Sequence, residues 1–255
     1  MKPQLHILLV NDDGFHADGL QTLYLHLKKV AKVTIVAPDR ERSAVGHGIT
    51  MYRPLRVSRF SIDHTLHWLV DGTPSDCVKL AVENLLADQR PDLIISGINR
   101  GPNLGNDVLY SGTVSAAIEG SLSGIPSIAT SLTGYGKLDF EAAAIFIAQN
   151  VLGLKIYAEQ AVLNINFPLV NKVSEFKGIK LTRLGNRIYQ NVFEERQDPR
   201  GQTYFWMGGE PKDFMQTPDS DIRAVDDGYI SITPLNSDLT DEKMLEKIAC
   251  GPINI

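Results

Sequence analysis

Short apolar runs and stretches with helical spacing alternate along the first two thirds of the chain. The first run, at 5–10, is ended by the polar turn Asn11-Asp-Asp-Gly14. After that turn Leu20, Leu23 and Leu27 recur at the spacing of one helix face. This pattern predicts a buried strand, a sharp turn and then an amphipathic helix.

The same alternation continues to about residue 168. It predicts strands at 33–37, 66–70, 92–96, 127–130 and 162–167, and helices at about 75–86, 113–122 and 140–151. Strands that alternate with helices indicate a mostly parallel sheet covered by helices on both faces. We therefore predict an α/β fold with a Rossmann-like, doubly wound sheet.

The pattern changes in the last third of the chain. Runs at 179–184, 187–194, 203–208 and 228–233 are typical of strands, with few helices between them, and the polar stretch 194–201 predicts a hairpin tip or exposed loop. We interpret 1–255 as one domain, with a βα core at 1–178 and a β-rich extension and tail at 179–255. Uncovered strand edges tend to pair, so we expect this extension to take part in a homodimer or homotetramer. The alternative is that these strands complete the monomer's own sheet.

Composition narrows the function classes. Of the 255 residues 43% are hydrophobic and 22% are charged, which suits a chain that buries a core rather than a disordered one. The net charge of −5 argues against a general nucleic-acid binder, because phosphate backbones attract basic surfaces. Two cysteines are too few for a disulfide scaffold, and no run approaches the roughly 18 apolar residues of a membrane span. The first ten residues are not typical of a signal peptide, so we expect a cytoplasmic protein without a membrane partner.

Three polar loops follow predicted strands and are the places to look for chemistry. They lie at 11–14, 39–43 and 97–105, and the second of them opens a longer polar stretch that continues to residue 50. In an open α/β sheet, ligands bind beyond the carboxyl ends of the strands. We therefore expect these loops to converge at one edge of the sheet.

Asp12 and Asp13 leave a buried strand side by side. Two carboxylates in one cleft repel each other, and a hard divalent cation such as Mg²⁺, Mn²⁺ or Ca²⁺ is the simplest resolution. Ser43 and Asn99, in the other two loops, add neutral oxygen ligands. The alternative for the two aspartates is an ordinary turn with a helix cap. Zinc is disfavoured, because no Cys/His cluster has ligand spacing; His47 can reach the site, but a lone loop histidine is more often an ordinary surface residue.

A second constellation, Ser111-Gly112-Thr113, stands just before a predicted helix. Free backbone N–H groups and the positive end of the helix dipole favour an anion there, and the two hydroxyls add donors. The alternative is a plain Ser/Thr N-cap. An anion site beside a cation site suits phosphate chemistry.

Several familiar motifs are missing from the sequence. There is no Walker loop, no Gly-x-Gly-x-x-Gly fingerprint and no Gly-x-Ser-x-Gly elbow. These absences disfavour a dinucleotide oxidoreductase and a serine hydrolase.

Ordered motifs along nearly the whole chain resemble the SurE survival-protein family. They are Ile7-Leu-Leu-Val-Asn-Asp-Asp-Gly14, Ala37-Pro-Asp-Arg-Glu-Arg-Ser43, Val70-Asp-Gly-Thr-Pro-Ser-Asp-Cys77, Ser96-Gly-Ile-Asn-Arg-Gly-Pro-Asn-Leu-Gly105, Tyr110-Ser-Gly-Thr-Val-Ser-Ala-Ala-Ile-Glu-Gly120 and Gly228-Tyr-Ile-Ser-Ile-Thr-Pro-Leu235. The resemblance implies a metal-dependent nucleotidase acting on nucleoside 5′- and 3′-monophosphates, with exopolyphosphatase activity on short chains. It also implies a Rossmann-like core, a swapped C-terminal extension and cytoplasmic dimers or tetramers.

Carried over by position, the resemblance implies that one divalent cation, Mg²⁺ or Mn²⁺, is bound by Asp12, Asp13, Ser43 and Asn99. It implies that phosphate is held by Asn99, Asn103 and the turn Ser111-Gly112-Thr113. Some relatives have a histidine a few residues after the segment that reads Asp238-Leu-Thr240 here. This chain continues with Asp241-Glu-Lys-Met244 and has no histidine there to serve as a proton donor.

Together these features predict a metal-assisted phosphomonoesterase in which Asp12 and Asp13 are catalytic, with Asp12 preferred as the group that orients or deprotonates water. The rival interpretation is a non-catalytic nucleotide-sensing module with the same fold. The sequence leaves open the base preference, the choice between 5′ and 3′ phosphate, the metal and the general acid.

Overall fold

The structure is a computed structural model that describes residues 4–134, 136–190, 192–212 and 216–251. Its strands are β1 (His6–Val10), β2 (Lys32–Pro38), β3 (Val57–Ile62), β4 (Thr65–Val70), β5 (Leu93–Arg100), β6 (Ser127–Leu132), β7 (Val162–Phe167), β8 (Ile179–Leu181), β9 (Ile188–Gln190), β10 (Phe193–Gln197), β11 (Thr203–Met207), β12 (Glu210–Lys212) and β13 (Ile230–Leu235). Its α-helices are α1 (Asp18–Leu27), α2 (Pro74–Leu80), α3 (Gly112–Leu122), α4 (Glu141–Ala158), α5 (Asp221–Asp226) and α6 (Glu242–Ala249).

The main sheet has nine strands in the order β3-β4-β2-β1-β5-β6-β7-β13-β8. The six strands from β4 to β7 run parallel, whereas β3 and β13 are antiparallel to their inner neighbours. The predicted α/β fold with a mostly parallel sheet is therefore confirmed. From β1 the chain passes to β2 on one side and later to β5 on the other. The strand order thus reverses between β1 and β5, and the crevice at such a switch point is where ligands bind in this class of fold.

Side chains of β1 alternate between the two faces of the sheet. Ile7 and Leu9 pack in the core formed with α1 and α4, and Leu8 and Val10 pack in the core formed with α2 and α3. All five residues of β1 are buried. A strand buried on both faces is nearly continuously apolar, which explains why the run 5–10 has no polar alternation. It also fixes the position of the turn that follows it.

Several predicted boundaries differ from the structure. The helix predicted at 75–86 is α-helical only to Leu80 and continues as a π-helical turn, Ala81–Leu85. Helix α4 ends at Ala158 instead of 151, and β5 continues to Arg100 instead of 96. Strand β3 has no counterpart among the predicted elements, because it lies at the sheet edge and is mostly exposed. Helices α5 and α6 also have no counterpart among the predicted elements, and α5 is only six residues long.

The strands in the last third of the chain fall into two groups, those that extend the main sheet and those that pair separately from it. β13 and β8 extend the main sheet, so for these strands the alternative that they complete the monomer's own sheet is confirmed. β10 and β11 form a separate antiparallel hairpin whose tip overlaps the polar stretch 194–201, and β9 pairs with β12. Every residue of β10 and β11 is exposed. No helix in the described part of the chain is long and apolar enough to cross a membrane.

Candidate active site

The loop after β1 makes a tight turn against the loop after β2. The side-chain amide of Asn11 donates to the backbone oxygen of Gly14 at 2.9 Å. Gly14 has φ of +94°, and a Cβ there would lie 3.0 Å from the backbone carbon of Arg40. Only glycine suits this combination of a positive φ and a close backbone approach. The turn places Asp12 and Asp13 at the switch point.

Asp12 is buried against the first turn of α3. The hydroxyl of Thr113 donates to its Oδ1 at 2.5 Å. A Cβ on Gly112 would lie 2.8 Å from the Cβ of Asp12 and 2.9 Å from its Oδ2. The predicted anion site at the start of α3 therefore faces the carboxylate of Asp12, which contacts both Gly112 and Thr113.

Burial raises the pKa of Asp12 to about 6. The Thr113 hydroxyl and the backbone amides of Asp12 and Thr113 oppose this shift, because they stabilise the charged form, while the negative charge of Asp13 adds to it. A carboxylate so placed gains from a nearby cation, which would stabilise its charged form.

Asp13 lies beside Asp12 but is half-buried. Its Oδ2 accepts the backbone N–H of Arg100 at 3.0 Å, which joins the end of β1 to the end of β5. Burial raises the pKa of Asp13, the N–H of Arg100 opposes the shift, and the charge of Glu41 adds to it. Two neighbouring carboxylates thus both have raised pKa values, for the same main reason.

Asn99 comes immediately before Arg100, after an irregularity in the pairing of β5 with β6 between Ser96 and Asn99. Its amide nitrogen donates to the backbone oxygen of Gly101 at 2.9 Å. This bond uses one of the two amide protons, so the amide oxygen remains for a cation and the second proton remains for phosphate.

Ser43 is exposed on the loop after β2. The preceding residue, Arg42, donates its backbone N–H to the backbone oxygen of Asp12 at 2.7 Å, which ties this loop to the end of β1. The hydroxyl of Ser43 donates to Glu41 at 2.8 Å, so its oxygen still has lone pairs for a cation. Ser43 and Asp13 line one cleft of about 420 Å³ together with Arg40 and Arg100.

The donor set fits a hard divalent cation. Two carboxylates, one hydroxyl and one amide oxygen are the ligands that Mg²⁺ and Mn²⁺ accept, with room for substrate oxygens. The buried Oδ1 of Asn11 has no hydrogen-bond partner, and it belongs to the residue next to Asp12. In the described part of the chain, no group of three or more His, Cys, Asp or Glu is arranged to hold a metal. This site has only two such residues and relies on neutral oxygens for the rest.

Asn103 is held in a buried asparagine network. Its side-chain nitrogen donates to Ser131 Oγ at 2.7 Å and its backbone N–H donates to Asn166 Oδ1 at 2.8 Å. Its backbone oxygen accepts from the amides of Asn164 and Asn166 at 2.9 and 3.0 Å. The network pins the glycine-rich loop after β5 to β7. One proton of the Asn103 amide remains for phosphate.

Ser111 is the N-cap of α3. Its Oγ accepts the backbone N–H of Val114 at 3.0 Å, the interaction expected of a capping serine. The hydroxyl proton is not used by that contact, so capping and donation to phosphate are compatible.

Several residues and contacts that organise the site are not predicted from the sequence. Asn164 and Asn166 are fully buried polar residues inside an apolar run, a signal that the sequence does contain. Nε2 of His47 lies 2.8 Å from a carboxylate oxygen of Glu119, a contact between residues 72 positions apart. No spacing rule within the sequence identifies that pair.

Comparison with known proteins identifies the family of this chain. The family model for survival protein SurE matches residues 7–191. The chain belongs to the SurE family. A SurE protein of Pelotomaculum thermopropionicum named 5′-nucleotidase SurE is 53% identical over 249 residues, 96% of this chain and 94% of that protein. Another of the same name, from Desulforamulus reducens, is 51% identical over 251 residues, covering 96% of this chain and 98% of the relative.

The fold agrees as well. The crystal structure of the SurE protein from Aquifex aeolicus superposes with a TM-score of 0.83 at 41% identity, covering 96% of this chain and 98% of that one. The resemblance inferred from the motifs and the predicted fold class are thus both confirmed.

Proposed function

We propose that this SurE protein is a metal-dependent phosphomonoesterase that hydrolyses nucleoside 5′- and 3′-monophosphates, with short polyphosphate as a second substrate class. Nucleotidase activity is supported by the names of its relatives. The observation that carries the metal-dependent mechanism is the pair of adjacent carboxylates at the switch point. Asp12 is buried against the first turn of a helix, and Asp13 opens onto a cleft.

Asp12, Asp13, Ser43 and Asn99 are the residues that would hold the cation. When bound, a divalent cation supplies Lewis-acid stabilisation of phosphoryl oxygens. Asp12 is our choice for the group that orients the attacking water and accepts its proton, because it is the more buried of the two carboxylates and the Thr113 hydroxyl fixes its position.

The phosphoryl group is proposed to bind beside the same carboxylates. Asn99 lies at the end of β5, Asn103 lies in the loop that follows it, and Ser111, Gly112 and Thr113 lie at the start of α3. In this structure Thr113 donates its hydroxyl to Asp12, so we assign Thr113 first to holding that carboxylate. Ser111 keeps a free hydroxyl proton for the phosphoryl oxygens, where donors stabilise charge in the transition state.

A homodimer or homotetramer in the cytoplasm is part of the same proposal. The hairpin β10–β11 exposes Phe193, Phe205, Trp206 and Met207. Exposed apolar groups on an unpaired hairpin favour contact with a second chain. Both cysteines are free, which suits a reducing compartment.

The test of this function is phosphate release from AMP and 3′-AMP with Mg²⁺, Mn²⁺ or EDTA. Asp13→Ala should lower the metal-dependent rate by at least about a hundredfold, since the loss of a cation site removes several kcal/mol of stabilisation. Asp18→Ala is the matched control, because Asp18 lines the same cleft but is 75% exposed and outside the ligand set. Near-normal turnover by a folded Asp13→Ala protein would show that the cation assignment is wrong. Nucleotide binding without phosphate release by the wild type would favour the sensing module.

A further inference from the structure

The loop that carries Ser43 has little apolar packing. Residues 43–50 form no helix or strand, and most of them are exposed, including Val45 and Ile49. Ala44 and Gly46 both have φ of +55°, so the loop also bends through the left-handed region. A segment without buried apolar contacts depends on polar contacts for its position.

Two hydrogen bonds attach the middle of this loop to elements near the site. The backbone N–H of Gly46 donates to the backbone oxygen of Tyr110 at 3.0 Å, just before the phosphate turn. The backbone oxygen of Gly48 accepts the hydroxyl of Thr73 at 2.8 Å, at the start of α2. The loop therefore lies across the starts of α2 and α3.

A further attachment joins His47 of the loop to a buried carboxylate on α3. Nε2 of His47 lies 2.8 Å from Glu119 Oε2, and Nζ of Lys79 lies 3.1 Å from Glu119 Oε1. The Glu119 side chain is only 8% exposed. The hydrogen bond from His47 and the nearby Lys79 hold the pKa of this carboxyl below its usual range. Glu119 is thus a charged acceptor for both donors, and interactions of this kind are the stronger hydrogen bonds of a protein.

Glu119 lies on the helix that begins with the phosphate turn. It follows Gly112 by seven residues, about two turns and roughly 10 Å along the axis. One rigid helix therefore contacts Asp12 at its first turn and His47 farther along. This arrangement couples the position of the Ser43 loop to that of Asp12.

We propose that His47 and Glu119 are positioning residues for the cation site, holding the 43–50 loop so that Ser43 stays beside the two aspartates. The inference rests on the proposed function, because two of its tests measure metal affinity and activity. The third test measures the order of the loop and needs neither metal nor substrate. Neither residue is placed in contact with the substrate.

The experiment compares His47→Ala, His47→Gln and Glu119→Gln with the wild type. Backbone amide exchange at 43–50 is measured on the metal-free protein, and Mn²⁺ affinity is measured by calorimetry. We expect His47→Ala to speed exchange in the loop by about ten- to a hundredfold, as loss of a hydrogen bond to a charged group implies. We expect Mn²⁺ affinity to fall by about tenfold and kcat/KM to fall with it. His47→Gln should largely restore both, because its amide nitrogen replaces Nε2 as donor.

The control pair is His26 and Glu141. These residues form a similar contact of 2.7 Å between α1 and α4, away from the Ser43 loop. His26→Ala should leave loop exchange and Mn²⁺ affinity unchanged. Wild-type exchange in His47→Ala would overturn the proposal, and so would faster exchange with unchanged Mn²⁺ affinity. Failure of the proposed function would appear separately, as wild-type protein that binds Mn²⁺ but releases no phosphate.

Discussion

Thr113 donates its hydroxyl to Oδ1 of Asp12 at 2.5 Å, and both side chains are buried. The contact joins residues 101 positions apart and fixes the carboxylate against the start of α3. A threonine that sequence motifs assign to phosphate therefore acts on the neighbouring aspartate. Helix α3, which we expect to face the phosphate, therefore also orients Asp12, which we expect to bind the cation.

Replacing Thr113 tests this relationship. Thr113→Val keeps the shape but leaves Asp12 without that donor, so we expect kcat/KM to fall by about ten- to a hundredfold, as for a hydrogen bond to a charged group. Thr113→Ser retains the hydroxyl and should stay within a few-fold of the wild type. Equal activities of the two variants, measured as phosphate release at saturating Mn²⁺, would contradict the role of the hydroxyl.

Gly112 gives a steric test of the same contact. A Cβ at this position would lie 2.8 Å from the Cβ of buried Asp12 and 3.2 Å from Cγ of Pro74. We expect Gly112→Ala to displace Asp12 and lower both Mn²⁺ affinity and the rate by at least about tenfold, since each 1.4 kcal/mol lost is a factor of ten. Gly153→Ala is the control, because Gly153 lies inside α4 and a Cβ there would meet no neighbouring element within 4 Å. That substitution should raise stability by about 0.5–1 kcal/mol and leave activity alone.

A substitution at Ser111 distinguishes a helix-capping role from a role in catalysis. As the N-cap of α3 it accepts the N–H of Val114, so Ser111→Ala should lower the free energy of unfolding by about 0.5–2 kcal/mol. If its proton also reaches the phosphoryl group, kcat should fall by about ten- to a thousandfold, by analogy with lost oxyanion donors. The two measurements are the thermal midpoint and kcat with AMP. A lower midpoint with unchanged kcat would reduce Ser111 to a helix cap.

The parts of the fold that can be predicted from sequence are those encoded locally. The run 5–10 is predicted as a strand because it is short, apolar except for His6 and followed by a polar turn. The same reasoning locates Asp12, Asp13 and Asn99 at strand ends. Strand β3 is not predicted, because it lies exposed at the edge of the sheet and its sequence therefore lacks a clear alternation of apolar and polar residues.

The contacts that organise the site are not local. Glu119 lies inside a helix whose sequence is typical of ordinary core, and its partner His47 has the pattern of a surface histidine. Their contact follows from the packing of α3 against the loop after β2, which no spacing in the sequence reports. Asn164 and Asn166 are different, since two polar residues in a fully buried strand require hydrogen-bond partners. That signal is present in the sequence, although the identity of their partner, Asn103, is not.

Assembly is tested by light scattering. The exposed apolar residues of β10 and β11 predict that the protein is a dimer or tetramer at micromolar concentration. Trp206→Glu should shift the mass toward that of one chain, about 28 kDa, because it places a charge in the expected interface. Tyr52→Glu is the control, since Tyr52 is fully exposed far along the sequence from the hairpin. A wild-type protein that is a uniform monomer would contradict the expected assembly.

The buried side chain of His67 is expected to make the stability of the protein depend on pH. It lies fully buried on β4, where its Nδ1 accepts the backbone N–H of Ile35 at 2.9 Å. The rings of Tyr24 and Phe60 lie at 5.5 Å from its ring, centroid to centroid. Burial lowers the pKa of His67 to about 4, because the charged imidazolium has little solvation in this position.

The direction of this pH dependence follows from the number of protons that the folded and unfolded chains bind. Between pH 6.5 and 4 the unfolded chain binds a proton at His67 and the folded chain does not, so the free energy of unfolding falls as the pH is lowered through this range. The contribution of this residue is fully present above pH 6.5, and its loss amounts to about 3 kcal/mol at most. His67→Asn keeps an acceptor near Nδ1 and cannot be protonated, so its urea midpoint should change less between about pH 7 and about pH 4.5 than that of the wild type. His64→Gln, on the exposed turn before β4, should follow the wild type. Parallel pH profiles for wild type and His67→Asn would show that the buried imidazole is not the group responsible.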